Sequence, residues 1–139
     1  PDDSDPEAAL RRDFAGASVL VVEDNEINAE IAVDLLEVVA LDVDTAADGV
    51  EAVEKAAARH YDIILMDMQM PRMDGLEATR RIRQLPAFQR TPIVAMTANA
   101  FADDRASCIE AGMDDFLPKP VDPDLMFSML LRWLRARKA

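Results

Sequence analysis

Five side chains stand where they could act together on a phosphate. Glu23 and Asp24 close the β-branched apolar run Ser18–Glu23, Asp67 follows the run Tyr61–Met66, Thr97 follows Pro92–Met96, and Lys119 comes just after Asp115–Leu117. Three carboxylates brought to one place repel and raise one another's pKa values unless a cation joins them. An all-oxygen donor set with positions left for water suits Mg²⁺, a hard octahedral ion. The lysine is a mobile point charge for a dianion such as phosphate, and the threonine hydroxyl is a donor to the same ligand. That assembly is suited to phosphoryl transfer, in which catalysis is mostly positioning and charge neutralisation. A carboxylate can itself be the acceptor and form an aspartyl phosphate.

The five groups meet only if the intervening chain builds a parallel sheet. Apolar residues recur at helical spacing over Ile27–Val39, with Glu26, Glu30, Asp34 and Glu37 among them. Asp42–Thr45 reads as a short strand, and Gly49–Arg59, Leu76–Gln84, Ala102–Ala111 and Pro123–Arg137 read as helices, with Gly112 as a C-terminal cap. Strands and helices thus alternate every ~20–25 residues, the period of βαβ units. Strands that read as continuous apolar runs are buried on both faces, so the fold class is α/β, a doubly wound five-stranded parallel sheet. Such sheets bind ligands beyond the carboxyl ends of their strands, at the topological switch point. Residues 1–17 are crowded with Pro, Asp and Ser and read as a linker or tail, with a short helical turn at Ala8–Phe14, before a single domain over 18–139.

Composition narrows the function further. Fifteen Lys and Arg against 27 Asp and Glu give a net charge of −12, which disfavours nucleic acid and anionic membrane as partners. No apolar run approaches the ~18 residues of a spanning helix. The single Cys108 excludes an internal disulfide and a multi-cysteine zinc site, and the single His60 excludes a histidine-rich metal site. Gly16, Gly49, Gly75 and Gly112 are too dispersed for a P-loop or a dinucleotide fingerprint. A reducing, cytoplasmic setting is expected. A chain that opens on Pro1 reads as a piece of a longer one, whose other parts could include a membrane anchor.

Four motifs in this order carry a resemblance: Val22-Glu23-Asp24-Asn25, Leu65 to Gly75 (LMDMQMPRMDG), Met96-Thr97-Ala98, and Phe116-Leu117-Pro118-Lys119-Pro120. Together they resemble the receiver domain of two-component response regulators, over roughly Ser18 to Arg137. Glu23–Asn28, Asp67–Pro71 and Met96–Ala100 are similar in particular to receivers of hybrid sensor histidine kinases. The resemblance implies a flavodoxin-like (βα)5 fold with Asp67 as phosphoacceptor for a phosphohistidine. It implies Mg²⁺, with Mn²⁺ as an alternative, held by Glu23, Asp24, Asp67 and the backbone carbonyl of Gln69. Where the family often has two aspartates, Glu23 is one methylene longer, compatible with action through a water. Lys119 is expected to pair with Asp67 and then with a phosphoryl oxygen. Thr97 and the backbone amides of Met68 and Ala98 are expected to bind the phosphoryl group. Thr97 and Phe116 match the family's switch pair, and Pro120 its proline preceded by a cis bond.

The implied partner is a histidine kinase core or a histidine phosphotransfer domain, with the receiver itself monomeric or weakly dimeric. A donor histidine must reach Asp67 over the same rim, so Asn25, Ile27, Asn28, Ile31 and Pro120 are expected to line the docking surface. Ile27 and Ile31 share a helical face, and the plainer reading of both is ordinary core. Each site residue alone also has a plainer reading: a solvated turn acid, a surface lysine, a helix cap, a core phenylalanine. Order and placement carry the assignment. The methionines around Asp67 read as packing, Cys108 as a small buried hydrophobe, and Asp103-Asp104 and Asp114-Asp115 as solvated or capping acids. Two other functions share part of the pattern. One is the receiver of a stand-alone response regulator or transcription factor. The other is a haloacid-dehalogenase-like phosphohydrolase, which needs a second acid where this chain has Gln69.

Overall fold

The computed structural model describes residues 5–68, 73, 75–97, 102–118 and 121–138. Helix α1 (Pro6–Asp13) precedes five strand–helix units: β1 (Ser18–Val22) and α2 (Glu26–Val38), β2 (Asp42–Ala46) and α3 (Gly49–Ala58), β3 (Ile63–Asp67) and α4 (Gly75–Arg83), β4 (Ile93–Thr97) and α5 (Ala102–Ala111), β5 (Asp115–Pro118) and α6 (Pro123–Lys138). All neighbouring strands are parallel, in the order β2-β1-β3-β4-β5, the doubly wound flavodoxin-like arrangement expected from the sequence. The order reverses between β1 and β3, so their carboxyl ends flank the switch-point crevice.

Successive strand side chains face opposite sides of the sheet. Val19, Val21, Ile63, Leu65, Val94 and Met96 pack on one side with Leu36 of α2 and Leu130 and Leu134 of α6. Leu20, Val22, Ile64, Met66, Ile93 and Ala95 pack on the other with Ala52 of α3, Ala78 and Ile82 of α4, and Cys108 of α5. Burial on both faces is the reason the strands read as unbroken apolar runs. Helix α2 is capped by Asn25, whose side chain accepts from the Asn28 amide at 3.1 Å, and α3 by Asp48, which accepts from the Glu51 amide at 2.8 Å. Gly112 ends α5 with a φ of +113°, as its expected capping role requires, while a Cβ there would press on the Arg83 side chain.

The helical turn expected at Ala8–Phe14 is present as part of α1, but the segment is docked rather than a solvated linker. Asp5 caps α1 through the Ala8 amide at 3.2 Å, Pro6 opens the helix, and Ala9 and Leu10 are fully buried in the cluster that includes α6. Arg11 bonds the Val38 carbonyl at the end of α2 at 3.3 Å. The acid pair after α5 also differs. Asp114 accepts from Arg83 Nη2 at 2.7 Å and from the Ile93 amide at 2.9 Å, and Asp115 accepts from Trp133 Nε1 at 2.8 Å. Both acids are therefore tethers between elements. Among the described residues no helix is long and apolar enough to cross a membrane.

Tyr61, expected inside the third strand, lies just before it and gives its hydroxyl to Asp44 of β2 at 2.7 Å. Burial pushes the Tyr61 phenol up, the Asp44 carboxylate adds to the shift, and the group sits at about 12 against an ordinary 10.0. Burial alone would raise the Asp44 carboxyl, but hydrogen bonds from Tyr61, Lys55 and the Thr45 amide hold it below its ordinary 3.8. A raised phenol pKa stabilises the fold fully below pH 10 and loses that contribution as pH rises from 10 to about 12. Tyr61→Phe should lower the urea-unfolding free energy by about 1 kcal/mol at neutral pH. The gap from wild type should close as pH approaches 12; a gap that stays constant would exclude this contact as its source.

Candidate functional site

The crevice at the switch point is built by strand ends. Glu23 follows β1 directly, with its amide bonded to the Ala46 carbonyl at 3.0 Å, and it is buried. Asp24 beside it is exposed. Asp67 is the last residue of β3, in register with Met96, and is only 4% exposed. Thr97 ends β4 in register with Pro118 and is also buried. Carboxylate oxygens of Glu23, Asp24 and Asp67 all lie within 4.8 Å of one another. The structure thus brings together the three carboxylates that sequence spacing singled out, with the Thr97 hydroxyl on the neighbouring strand.

Backbone contacts hold these groups in place. The Asn25 amide donates to Glu23 Oε1 at 3.2 Å, so the residue that caps α2 also braces the first carboxylate. Behind Asp67 the chain is pinned at two glycines. The Gly75 amide donates to the Met68 carbonyl at 3.3 Å, and the Gly49 amide to the Met73 carbonyl at 3.2 Å. A Cβ on Gly75 would lie 2.4 Å from the Asp67 carbonyl oxygen, and one on Gly49 would lie 2.4 Å from the Met73 carbonyl oxygen. Neither glycine was singled out for the site by sequence. The Asp74-Gly75 pair is legible as a turn, whereas the close approach of α4 to Asp67 depends on tertiary packing.

The remaining expected site residues divide into three groups. The Met68 amide donates to the Met96 carbonyl at 3.3 Å, a long bond, so in this state it belongs to the sheet. Phe116 is half-buried on β5 against the cluster that holds Ala95 and Cys108. Gln69, Ala98, Lys119 and Pro120 lie outside the described residues. On the rim, Ile27 is 69% and Ile31 49% exposed, so the ordinary-core reading fails for both. The buried face of α2 is instead Ala32 and Leu36. Asn25 and Asn28 are exposed at the same end of the helix.

Comparison with known proteins resolves the family. A family model described as the response regulator receiver domain matches residues 19–131. The chain belongs to this family. As a receiver it is 41% identical over 116 residues to the signal transduction histidine-protein kinase BarA of Escherichia coli K12, and 41% identical over 122 residues to the sensor histidine kinase RcsC of the same strain. Those matches cover 84% and 87% of this chain but 13% of each relative, so the chain spans about an eighth of the kinases it matches. The crystal structure of the receiver domain of sensor histidine kinase PA1611 from Pseudomonas aeruginosa PAO1 has a magnesium ion coordinated in its active site cleft. It superposes with a TM-score of 0.82 at 42% identity, covering 87% of this chain and 99% of that one. A chemotaxis protein CheY4 of Vibrio cholerae gives a TM-score of 0.82 at 31% identity, covering 85% and 98%.

In this receiver the donor set itself fits a hard cation. Three carboxylates, two of them buried, converge with ligand oxygens within 4.8 Å of one another, an all-oxygen set of the kind a hard divalent ion takes. Because Gly75 abuts the Asp67 carbonyl, Gly75→Ala should displace β3 at its functional end. The expected result is a loss of about 1–3 kcal/mol of stability together with weaker Mg²⁺ binding in an NMR titration. An unchanged Mg²⁺ titration in a destabilised variant would separate α4 packing from the geometry of the site.

Proposed function

We propose that this receiver accepts a phosphoryl group from a phosphohistidine onto Asp67, as one step of a two-component phosphorelay, and that it is the receiver segment of a hybrid histidine kinase working in the cytoplasm. The observation that carries the reading is the convergence of Glu23 and Asp24 on Asp67 at the end of β3. The histidine kinases among its relatives support a hybrid parent over a stand-alone regulator. A phosphohydrolase would need an acid where Gln69 stands.

An Asp67 carboxylate oxygen attacks phosphorus in line. The new O–P bond forms as the N–P bond to imidazole breaks, and the electron pair stays on the ring nitrogen. Glu23, Asp24, Asp67 and the Gln69 carbonyl would hold Mg²⁺, which when bound neutralises charge on the phosphoryl oxygens. Lys119, the Thr97 hydroxyl and the Ala98 amide would bind those oxygens, and the Met68 amide would join them by exchanging its long bond to Met96. Thr97 moves toward the phosphoryl group and Phe116 fills the space it leaves. A phenylalanine makes that move without burying a hydroxyl that would need a partner.

The donor docks on the first turns of α2. Ile27 and Ile31 present apolar area, and Glu26, Glu30 and Asp34 line a cavity of about 390 Å³ beside them. None of these three acids makes an ion pair among the described residues. A helical histidine-bearing domain with a basic rim matches this surface, and its on-rate should fall with salt. Acetyl phosphate with Mg²⁺ should label wild type and not Asp67→Asn. Ile27→Glu should slow transfer from a phosphohistidine donor by about tenfold, roughly 1.4 kcal/mol of encounter free energy, and leave acetyl phosphate labelling intact. Undiminished labelling of Asp67→Asn would overturn the reading. A parallel loss of both reactions in Ile27→Glu would move the docking surface elsewhere.

A further inference from the structure

A single carboxylate links the switch position to the opposite side of the molecule. Asp115 Oδ1 accepts from the Phe116 amide at 2.8 Å, and Oδ2 accepts from Trp133 Nε1 at 2.8 Å and from Arg132. Arg132 also lies over the Trp133 ring, 5.6 Å from its centre. Both residues belong to α6, and the neighbouring Leu130, Leu131 and Leu134 share a buried cluster with Ala9 and Leu10 of α1. Arg135 approaches Asp13 at the end of α1, at 3.9 Å. Helix α1 lies before residues 19–131, the span that matches the receiver family. It is therefore an addition to the receiver fold, docked on the helix to which Asp115 is tied.

We propose that the phosphorylation state of Asp67 is read at α1: a change at Phe116 passes through the Asp115 carboxylate to α6 and loosens the docking of α1. The inference rests on the proposed phosphorylation of Asp67, which supplies the change at Phe116. The two oxygens of a carboxylate are fixed in one plane. Rotation of the Phe116 amide therefore tilts the group that holds Trp133, and hydrogen bonds weaken steeply with angle. Helix α1 is suited to respond. Its eight residues are too few to stay helical in isolation, so its helicity depends on docking. Docked helix and undocked segment are the two states that such a linkage would bias.

The test is hydrogen exchange of residues 8–14 in the full chain, with Mg²⁺ and beryllofluoride as the loading probe. Loading should speed exchange by about tenfold or more and shift the emission of Trp133, the single tryptophan. Trp133→Phe keeps a ring in the core and removes the indole N–H. It should load normally while the exchange of residues 8–14 no longer differs between loaded and free protein. Asp115→Asn should likewise remove that difference and the emission shift. A merely structural contact would raise exchange equally in both states, and that result would overturn the proposal. So would an unchanged α1 in a wild type whose Asp67 is loaded, or a full response in Trp133→Phe. Failure of beryllofluoride to bind at Asp67 would instead remove the phosphoacceptor proposal, and this inference with it.

Discussion

Mutual repulsion of three carboxylates is the constraint around which this molecule is arranged. Two unit charges 4.8 Å apart repel by roughly 3 kcal/mol at an effective dielectric of 20, and less where water reaches Asp24. Like charges do not seek that proximity of themselves. The sheet imposes it, because β1 and β3 are adjacent and buried on both faces, and their carboxyl ends have nowhere else to lie. The backbone that carries these groups is held by the strand ladders, by Asn25 at the head of α2 and by Gly75 behind Asp67. On the proposed function, a site held in this way would need little reorganisation to take a divalent ion and an incoming dianion.

The opposite end of the sheet does the complementary work. Arg83 gathers the carbonyls of Phe88, Thr91 and Gly112 and the carboxylate of Asp114, and so ties α4 to the starts of β4 and β5. Asp114 in turn holds the first amide of β4. The strand origins are fixed there, while Thr97 lies at the far end of β4, in register with Pro118 at the far end of β5. These tethers lie at the end of the sheet away from the three carboxylates.

Much of this was legible in the residues. Parallel strands buried on both sides announce themselves as unbroken apolar runs, and ligands of such sheets lie at strand ends, so Glu23, Asp24, Asp67 and Thr97 could be chosen by placement alone. What escaped was set by contacts distant in sequence. A helical turn at Ala8–Phe14 was legible, but its docking was not: α1 buries only Ala9 and Leu10, too few for any periodicity to show. Ile27 and Ile31 share a face, but spacing does not say whether that face looks inward; Ala32 and Leu36 take the buried side. Asp114 and Asp115 look like solvated acids until Arg83 and Trp133, far along the chain, are seen to reach them.

The central claim is that the three carboxylates stand together at a cost relieved by a divalent cation. Urea-unfolding free energies of wild type and Asp67→Asn, measured against Mg²⁺ at fixed ionic strength, test it most directly. Without Mg²⁺ the variant should be the more stable protein, because one of the repelling charges is gone. Wild type should then gain stability with Mg²⁺ as RT ln(1 + [Mg²⁺]/Kd), and the variant should gain far less. A wild type indifferent to Mg²⁺ and no less stable than Asp67→Asn would contradict the account.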